Sequence, residues 1–246
     1  NPLADPYILG ISGGAAVAAL SAILLGLSGA WVSNAAFGGA LLSILIVFGL
    51  ARSRFQWSAT RLLLTGVVVS AGWGAMINIL LTTSSNNSVY SMLFWLMGDL
   101  SQSRAGPLSG LILVAGFVLM MLQARSLNVL ARGDLQAAAL GVDVARLKLI
   151  LYFTASVLTA CAVTIAGSIG FVGLVIPHML RLLGARDHRV LIPASVLLGG
   201  SFLMIADSFA RSIVAPLQLP VGVVTAIIGV PTFLLILRRS QQRSVE

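Results

Sequence analysis

Charge is what this sequence has least of. Only 9% of its residues are Asp, Glu, Lys or Arg while 58% are hydrophobic, whereas soluble domains carry roughly 25% charged residues. With a mean hydropathy of +1.02, a soluble globular domain is excluded and the chain reads as an integral membrane protein. Its formal net charge of +8 does not point to nucleic acid, because there is no basic stripe interleaved with aromatics. The arginines stand instead in short clusters between apolar runs.

Other scarcities exclude particular chemistries. Cys161 is the one cysteine; it cannot form an internal disulfide and, inside an apolar run, reads as a small packing residue. Lysine occurs once, as Lys148 after Leu147, so the GxxxxGK[ST] loop whose amides and lysine cradle phosphates is missing and the chain has no ATP-hydrolysing motif of its own. The two histidines, His178 and His188, lie ten apart with no HExxH and no cysteine cluster, so no zinc or other metal site is expected. The GxSxG match "GISGG" (10–14) opens an apolar run instead of a strand-to-helix turn, which leaves an intramembrane serine hydrolase with little support. The chain starts at Asn1 with no signal-peptide pattern, and an N-terminal portion is expected to be missing.

What is present is a series of apolar runs long enough to span a bilayer, which takes about 20 residues. They lie at about 8–27, 31–51, 62–81, 105–124, 149–166, 190–206 and 219–237. The uncharged stretch Leu149 to Leu180 is too long for one span and carries Gly167, Gly170, Gly173 and Pro177. It predicts a span, a turn and a short returning segment, making eight crossings. Basic residues check the count independently, since Lys and Arg collect in short cytoplasmic loops. Thirteen of the fifteen fall in one set of alternate loops, and only Arg104 and Arg211 in the other. A missed or extra span would scramble that split. The expected fold is an all-α polytopic transmembrane bundle, residues 1–246 forming one domain, with the C-terminus cytoplasmic.

Around the returning segment, "GFVGLVIPHMLRLLGARDHRVLIP" (170–193) predicts that Pro177 and the glycines break the helix, with His178 packed at the bend and Arg181 anchoring a tight cytoplasmic turn. A short segment of this kind belongs among other helices or beside a cavity, where its backbone groups find partners, and broken helices commonly mark transport pathways. On the outer side, "TTSSNNSVYS" leads into "MLFWLMGDL" (92–100), read as an interfacial helix anchored by Trp95. On the inner side, residues 125–149 place Leu127, Leu130, Leu135, Leu140 and Val144 at near-helical spacing, with Gly133 and Gly141 as breaks. Two short helices on the cytoplasmic face are expected there.

Ion-driven transport usually shows as ionisable residues within spans. Asp207 is the one candidate, and Arg211 four residues on gives the spacing of a same-face ion pair. Asn78, alone in an apolar span, is read as bonding a neighbouring helix rather than facing a pathway. A conduit with an ordered inner loop and no engine asks for a separate energising subunit.

Five segments, "NPLADPYILGISGGA" (1–15), "RLLLTGVVVSA" (61–71), "NVLARGDLQAAALGVDVARLK" (128–148), "GFVGLVIPHMLRLLGARDHRVLIP" (170–193) and "LPVGVVTAIIGVPTFLLIL" (219–237), resemble the FecCD-type permeases. These are the membrane subunits of type II ABC importers for ferric siderophores, haem and cobalamin. Family members have ten transmembrane helices, so the resemblance implies helices three to ten here. It implies that residues 127–148 form the cytoplasmic coupling helices, with Leu130, Gly133, Asp134, Ala137, Ala138, Leu140, Gly141, Val142 and Arg146 meeting the ATPase through exposed small and apolar side chains. It places Arg211 at the outer arginine that pairs with a glutamate of the binding protein. It also matches Ser58, Ala59 and Thr60 to the cytoplasmic gate, where Ala59 replaces a threonine; Ser58 and Thr60 serve equally as helix N-caps.

The same resemblance implies the assembly: two ABC ATPase subunits carrying ATP and Mg, a second permease copy as a homodimer, and a periplasmic substrate-binding protein, all at the bacterial inner membrane. No cofactor is expected in this chain. An iron compound, siderophore or haem, is favoured over cobalamin or an oxyanion by family frequency alone. The rivals are an ATP-independent secondary transporter or channel, which predicts a membrane-buried ionisable pair or a ring of charges, and a membrane enzyme, which lacks its catalytic constellation.

Overall fold

A computed structural model describes residues 10–51, 59–101, 106–214 and 217–242, without the side chains of 59 and 236–242. Helices form wherever apolar residues run on. In order they are α1 (Ile11–Leu24), α2 (Ala30–Ala51), α3 (Ala59–Thr83), α4 (Asn86–Met97), α5 (Pro107–Leu130), α6 (Asp134–Ala139), α7 (Val144–Ala166), α8 (Val172–Leu182), α9 (His188–Ser212) and α10 (Val221–Gln242). No strand occurs among the described residues. Eight of these helices coincide with the eight apolar segments read from the sequence. Five of them, α2, α3, α5, α7 and α9, are long and apolar enough to cross a membrane, while α1, α8 and the apolar part of α10, Val221–Leu235, are shorter.

Packing divides the chain into two compact units, one formed by Asp5–Gly116 with Leu149–Ser168 and the other by Phe117–Lys148 with Ile169–Glu246. In the first, α1 and α2 meet through small residues. Ala15, Ala19, Ala22, Ala36 and Ala40 are buried in one cluster, and a Cβ placed on Gly39 would sit 2.3 Å from the Gly14 carbonyl oxygen. Such small side chains let helix backbones approach and gain dispersion contact where lipid supplies no hydrophobic drive. A polar knot pins the same unit: the Ser43 hydroxyl donates to the Gly10 carbonyl at 2.7 Å and accepts from Trp73 Nε1 at 3.0 Å.

Helix α4 begins at Asn86, within the polar stretch before the aromatic-rich segment, and Trp95 is half-buried on it. Trp95 packs against the buried α1 and α2 cluster, and Met92 beside it is fully buried. Apolar composition alone cannot tell an interfacial face from a packed one. The turn after α7 is closed by Asp99, whose amide donates to the Ala166 carbonyl at 2.9 Å. Gly167 allows that approach, because a Cβ there would lie 2.5 Å from the Trp95 carbonyl oxygen. Asn78 lies exposed on α3, contrary to the buried helix-to-helix bond expected for it.

In the second unit α8, α9 and α10 pack against one another. The returning segment is helical as far as the sequence predicted, yet Pro177 does not end it. Pro177 lies inside α8, and the turn falls later, at Leu183 to Asp187. Gly184, at φ 99, donates to the Arg181 carbonyl at 3.1 Å and Ala185 to that of Leu180 at 3.0 Å, a pairing that satisfies the last carbonyls and needs a left-handed residue. His178 is half-buried within α8, packed as expected, with its ring edge-on to Phe233, centroids 6.4 Å apart. Arg181 is exposed in the last turn of α8, where a cation suits the helix dipole. At the other end of α8 Phe171 adopts φ 68, unusual for a residue with a Cβ, and its side chain fills the space beside Gly229.

Candidate functional site

The segment that links α5 to α7 is built from local rules. Asp134 opens α6, where a carboxylate is favoured by the positive helix end, and the alanines that follow are the strongest helix formers. Gly141, at φ 82, stops the helix. Its amide donates to the Ala138 carbonyl and that of Val142 to the Ala137 carbonyl, both at 3.0 Å, the reciprocal pairing of a left-handed cap. Asp143 then caps α7, its Oδ1 accepting from the Arg146 amide at 3.0 Å, as expected of a helix N-cap.

The sequence predicts two short helices over 125–149, and the structure corrects this to one. Leu127 to Leu130 continue α5 without a break, because nothing interrupts the helical pattern before Gly133. Only α6 stands apart. Of the residues expected to be exposed there, Gly133, Asp134, Ala138, Leu140, Gly141 and Arg146 are exposed, whereas Leu130 and Val142 are half-buried. Ala137 is fully buried, contrary to its expected place on the contacting surface, since it lies on the inner side of the six-residue turn and carries the capping carbonyl. Leu135 instead shows 89% of its surface and Leu140 64%. Two leucines thus project from a helix too short to bury them.

Two polar links hold this segment. Lys148 pairs with Asp134, joining the start of α6 to the first turns of α7. Asn128, near the end of α5, reaches the turn between α8 and α9: its Nδ2 donates to Asp187 Oδ1 at 2.7 Å, and its Oδ1 accepts from the His188 amide at 2.9 Å and from His188 Nδ1 at 2.7 Å. Asp187 Oδ1 also accepts from the Arg189 amide at 2.8 Å, which caps α9. Hydrogen bonds from Asn128 and from the Arg189 backbone hold the Asp187 carboxyl below its ordinary range. These contacts join the connection after α5 to the turn before α9, two of the loops that basic residues had marked as sharing a side. Neither Asn128 nor the Lys148 pair was singled out from the sequence; the quoted motifs contain them, but partners 60 and 14 residues away leave no local periodicity.

The remaining sequence-derived residues lie elsewhere. Arg211 Nε bonds Asp207 Oδ2 at 2.8 Å in α9, the same-face pair that the spacing predicts. Thr60 is exposed in the first turn of α3, which begins at Ala59; Ser58 lies outside the described residues.

Comparison with known proteins places this geometry. The chain is 43% identical to the cobalamin import system permease of Halobacterium salinarum over the whole of this chain and 66% of that protein. It is 42% identical to the hemin transport system permease of Yersinia pestis, over 99% of this chain and 75% of that protein. It thus spans about two thirds to three quarters of the length of these relatives. Among solved structures, a chain in an inward-facing conformation, assigned to the metal-chelate type of ABC transporter, matches with a TM-score of 0.84 and 31% identity, covering 97% of this chain and 77% of that one. Residues 1–239 match the FecCD transport family, and the protein is a member of that family.

Proposed function

We propose that this protein is the permease subunit of an ATP-driven importer that carries a metal chelate, a ferric siderophore, haem or cobalamin, across the bacterial inner membrane. The observation that carries this reading is α6: a six-residue helix bounded by Gly133 and Gly141, presenting Leu135 and Leu140 outwards, in a chain that matches a transport family along nearly its whole length. Exposed leucines on a rigid, capped turn suit insertion into a cleft of another protein, because apolar surface gains most when a partner covers it. In this reading two ATPase subunits, with ATP and Mg, sit below the membrane and receive α6. A second copy of the permease completes the pathway, and a binding protein docks outside near Arg211. ATP closes the ATPase pair, α6 moves with it, and the pathway changes the side to which it opens.

Reconstitution tests the reading directly. The full-length permease is purified in mild detergent, its bound proteins are identified by mass spectrometry, and uptake is measured in vesicles. Recovery of a P-loop ATPase in equal amount, with vanadate-sensitive ATP-driven uptake, is the expected result. Uptake that depends on an ion gradient alone would instead make the protein a secondary transporter. The substrate is then resolved by supplying siderophore, haem and cobalamin in turn with the cognate binding protein.

A further inference from the structure

Helix α6 is joined to the rest of the molecule in two different ways. Towards α7 the connection is covalent and short, and it is reinforced by the Lys148 pair and by the Asp143 cap. Towards α9 the amide group of Asn128 makes three hydrogen bonds, two accepted from His188 and one donated to Asp187. Asn128 lies two residues before the end of α5, and only residues 131–133 separate that end from α6. A connector of three residues has little slack, so a displacement of α6 moves the end of α5 with it. Both bonded neighbours are themselves fixed: Asp187 caps α9 and His188 is its first residue, while α9 packs on α8 and α10.

We infer that Asn128 is a positioning residue for energy coupling: it ties the α6 connection to the start of α9, so that force applied to α6 is delivered to the α8 and α9 pair as well as along α7. The inference rests on the importer reading above. It follows from a chemical asymmetry. A side-chain amide offers a donor and an acceptor at once, so it engages the Asp187 carboxylate and the His188 N–H groups together; Ala or Leu at this position would leave both unmatched. Because α6 keeps its own glycine cap and its Lys148 link when Asn128 is removed, the loss falls on transmission rather than on the formation of α6.

The experiment uses the full transporter, permease with its ATPase and binding protein, in vesicles, and reads substrate taken up per ATP hydrolysed. Asn128→Ala is expected to leave ATP hydrolysis near the wild-type rate and to lower the uptake-to-hydrolysis ratio by about fivefold or more, the small end of typical coupling energies. The exchange of Asn128→Asp with Asp187→Asn rebuilds the amide-to-carboxylate bond with its direction reversed and keeps the His188 acceptor, so it is expected to restore the ratio to within about twofold of wild type. An unchanged ratio in Asn128→Ala overturns the inference. If that variant fails to accumulate in the membrane, the exchange carries the test: a full ratio supports the tie, and a low one in a stably accumulated protein overturns it. The wild-type measurement separates the two levels of reading, since absence of ATP-driven uptake there removes the importer assignment itself.

Discussion

Lys148, the only lysine of the sequence, forms an ion pair with Asp134 across the turn that joins α6 to α7. The pair is unequal in exposure, with 30% of the Lys148 side chain and 59% of that of Asp134 accessible, so water and salt screen it substantially. Exposed pairs contribute about 0.2–1 kcal/mol. Lys148→Ala is therefore expected to speed amide hydrogen exchange across residues 134–142 by up to about fivefold at low salt, and by less when salt is raised. Exchange unaltered by the substitution would mean that the glycine caps alone hold α6.

The Asp187 carboxyl supplies a pH dependence. Its folded-state pKa is depressed, first by the Asn128 hydrogen bond and then by the Arg189 amide, from an ordinary 3.8. A group depressed on folding stabilises the folded state above its ordinary pKa, and the gain is lost as pH falls through the lower folded value. Melting temperatures of the purified protein should thus exceed those of Asp187→Asn by a constant margin near neutral pH. That margin should narrow only below about pH 4. A margin that varied between pH 6 and 8 would assign the dependence to another group.

Close approach of α1 and α2 makes Gly39 intolerant of side chains. A Cβ there would meet the Gly14 carbonyl oxygen at 2.3 Å and the Ala18 methyl at 2.6 Å, and backbone cannot swing aside as a side-chain end can. Gly39→Val should destabilise the protein by about 1–3 kcal/mol, the usual range for overpacking, seen as a lower melting temperature in detergent and poorer accumulation in the membrane. Gly38, with open space around its Cβ position, is the control: Gly38→Ala should be tolerated.

Gly141 stops α6 at φ 82, a conformation that residues with a Cβ adopt at a cost of roughly 1–2 kcal/mol. Gly141→Trp adds bulk on an exposed surface as well as strain. On the importer reading it should abolish ATP-dependent uptake while the chain remains in the membrane, as checked by uptake assays on quantified vesicles. Wild-type uptake in that variant would remove α6 from the coupling role.

Arg211 and Asp207 form an exposed ion pair on α9. If Arg211 also receives the binding protein, Arg211→Glu should weaken that docking by roughly tenfold, about 1.4 kcal/mol, at low salt and less at high salt, where charges are screened. Surface-binding measurements on the permease in nanodiscs read this directly. Unchanged affinity would leave Arg211 as the local partner of Asp207.

Much of this architecture follows from composition. Long uncharged runs leave helix as the favoured state, because each backbone N–H and C=O must find a partner within the segment when lipid offers none. The apolar segments therefore became helices near the predicted bounds. Glycine breaks at 133, 141 and 167 were legible for a related reason, since they punctuate helical periodicity and all three take positive φ values outside the reach of most residues. Arg211 and Asp207 were legible because four residues along one helix fix their distance.

Tertiary packing decided what composition leaves open. Whether Trp95 meets lipid or a neighbouring helix, whether Ala137 faces out or in, and whether Pro177 ends its helix or lies inside it depend on which surface arrives opposite, and an apolar residue satisfies either outcome. The tie from Asn128 to Asp187 and His188 is of the same kind, made across 59 and 60 residues of sequence. Where the apolar helices form, and where glycine breaks them, was readable in the chain, because those are short-range matters of backbone pairing and permitted φ. Only the folded structure decided which polar groups meet, because a hydrogen bond between distant residues is set by the packing of whole helices and leaves no period in the chain.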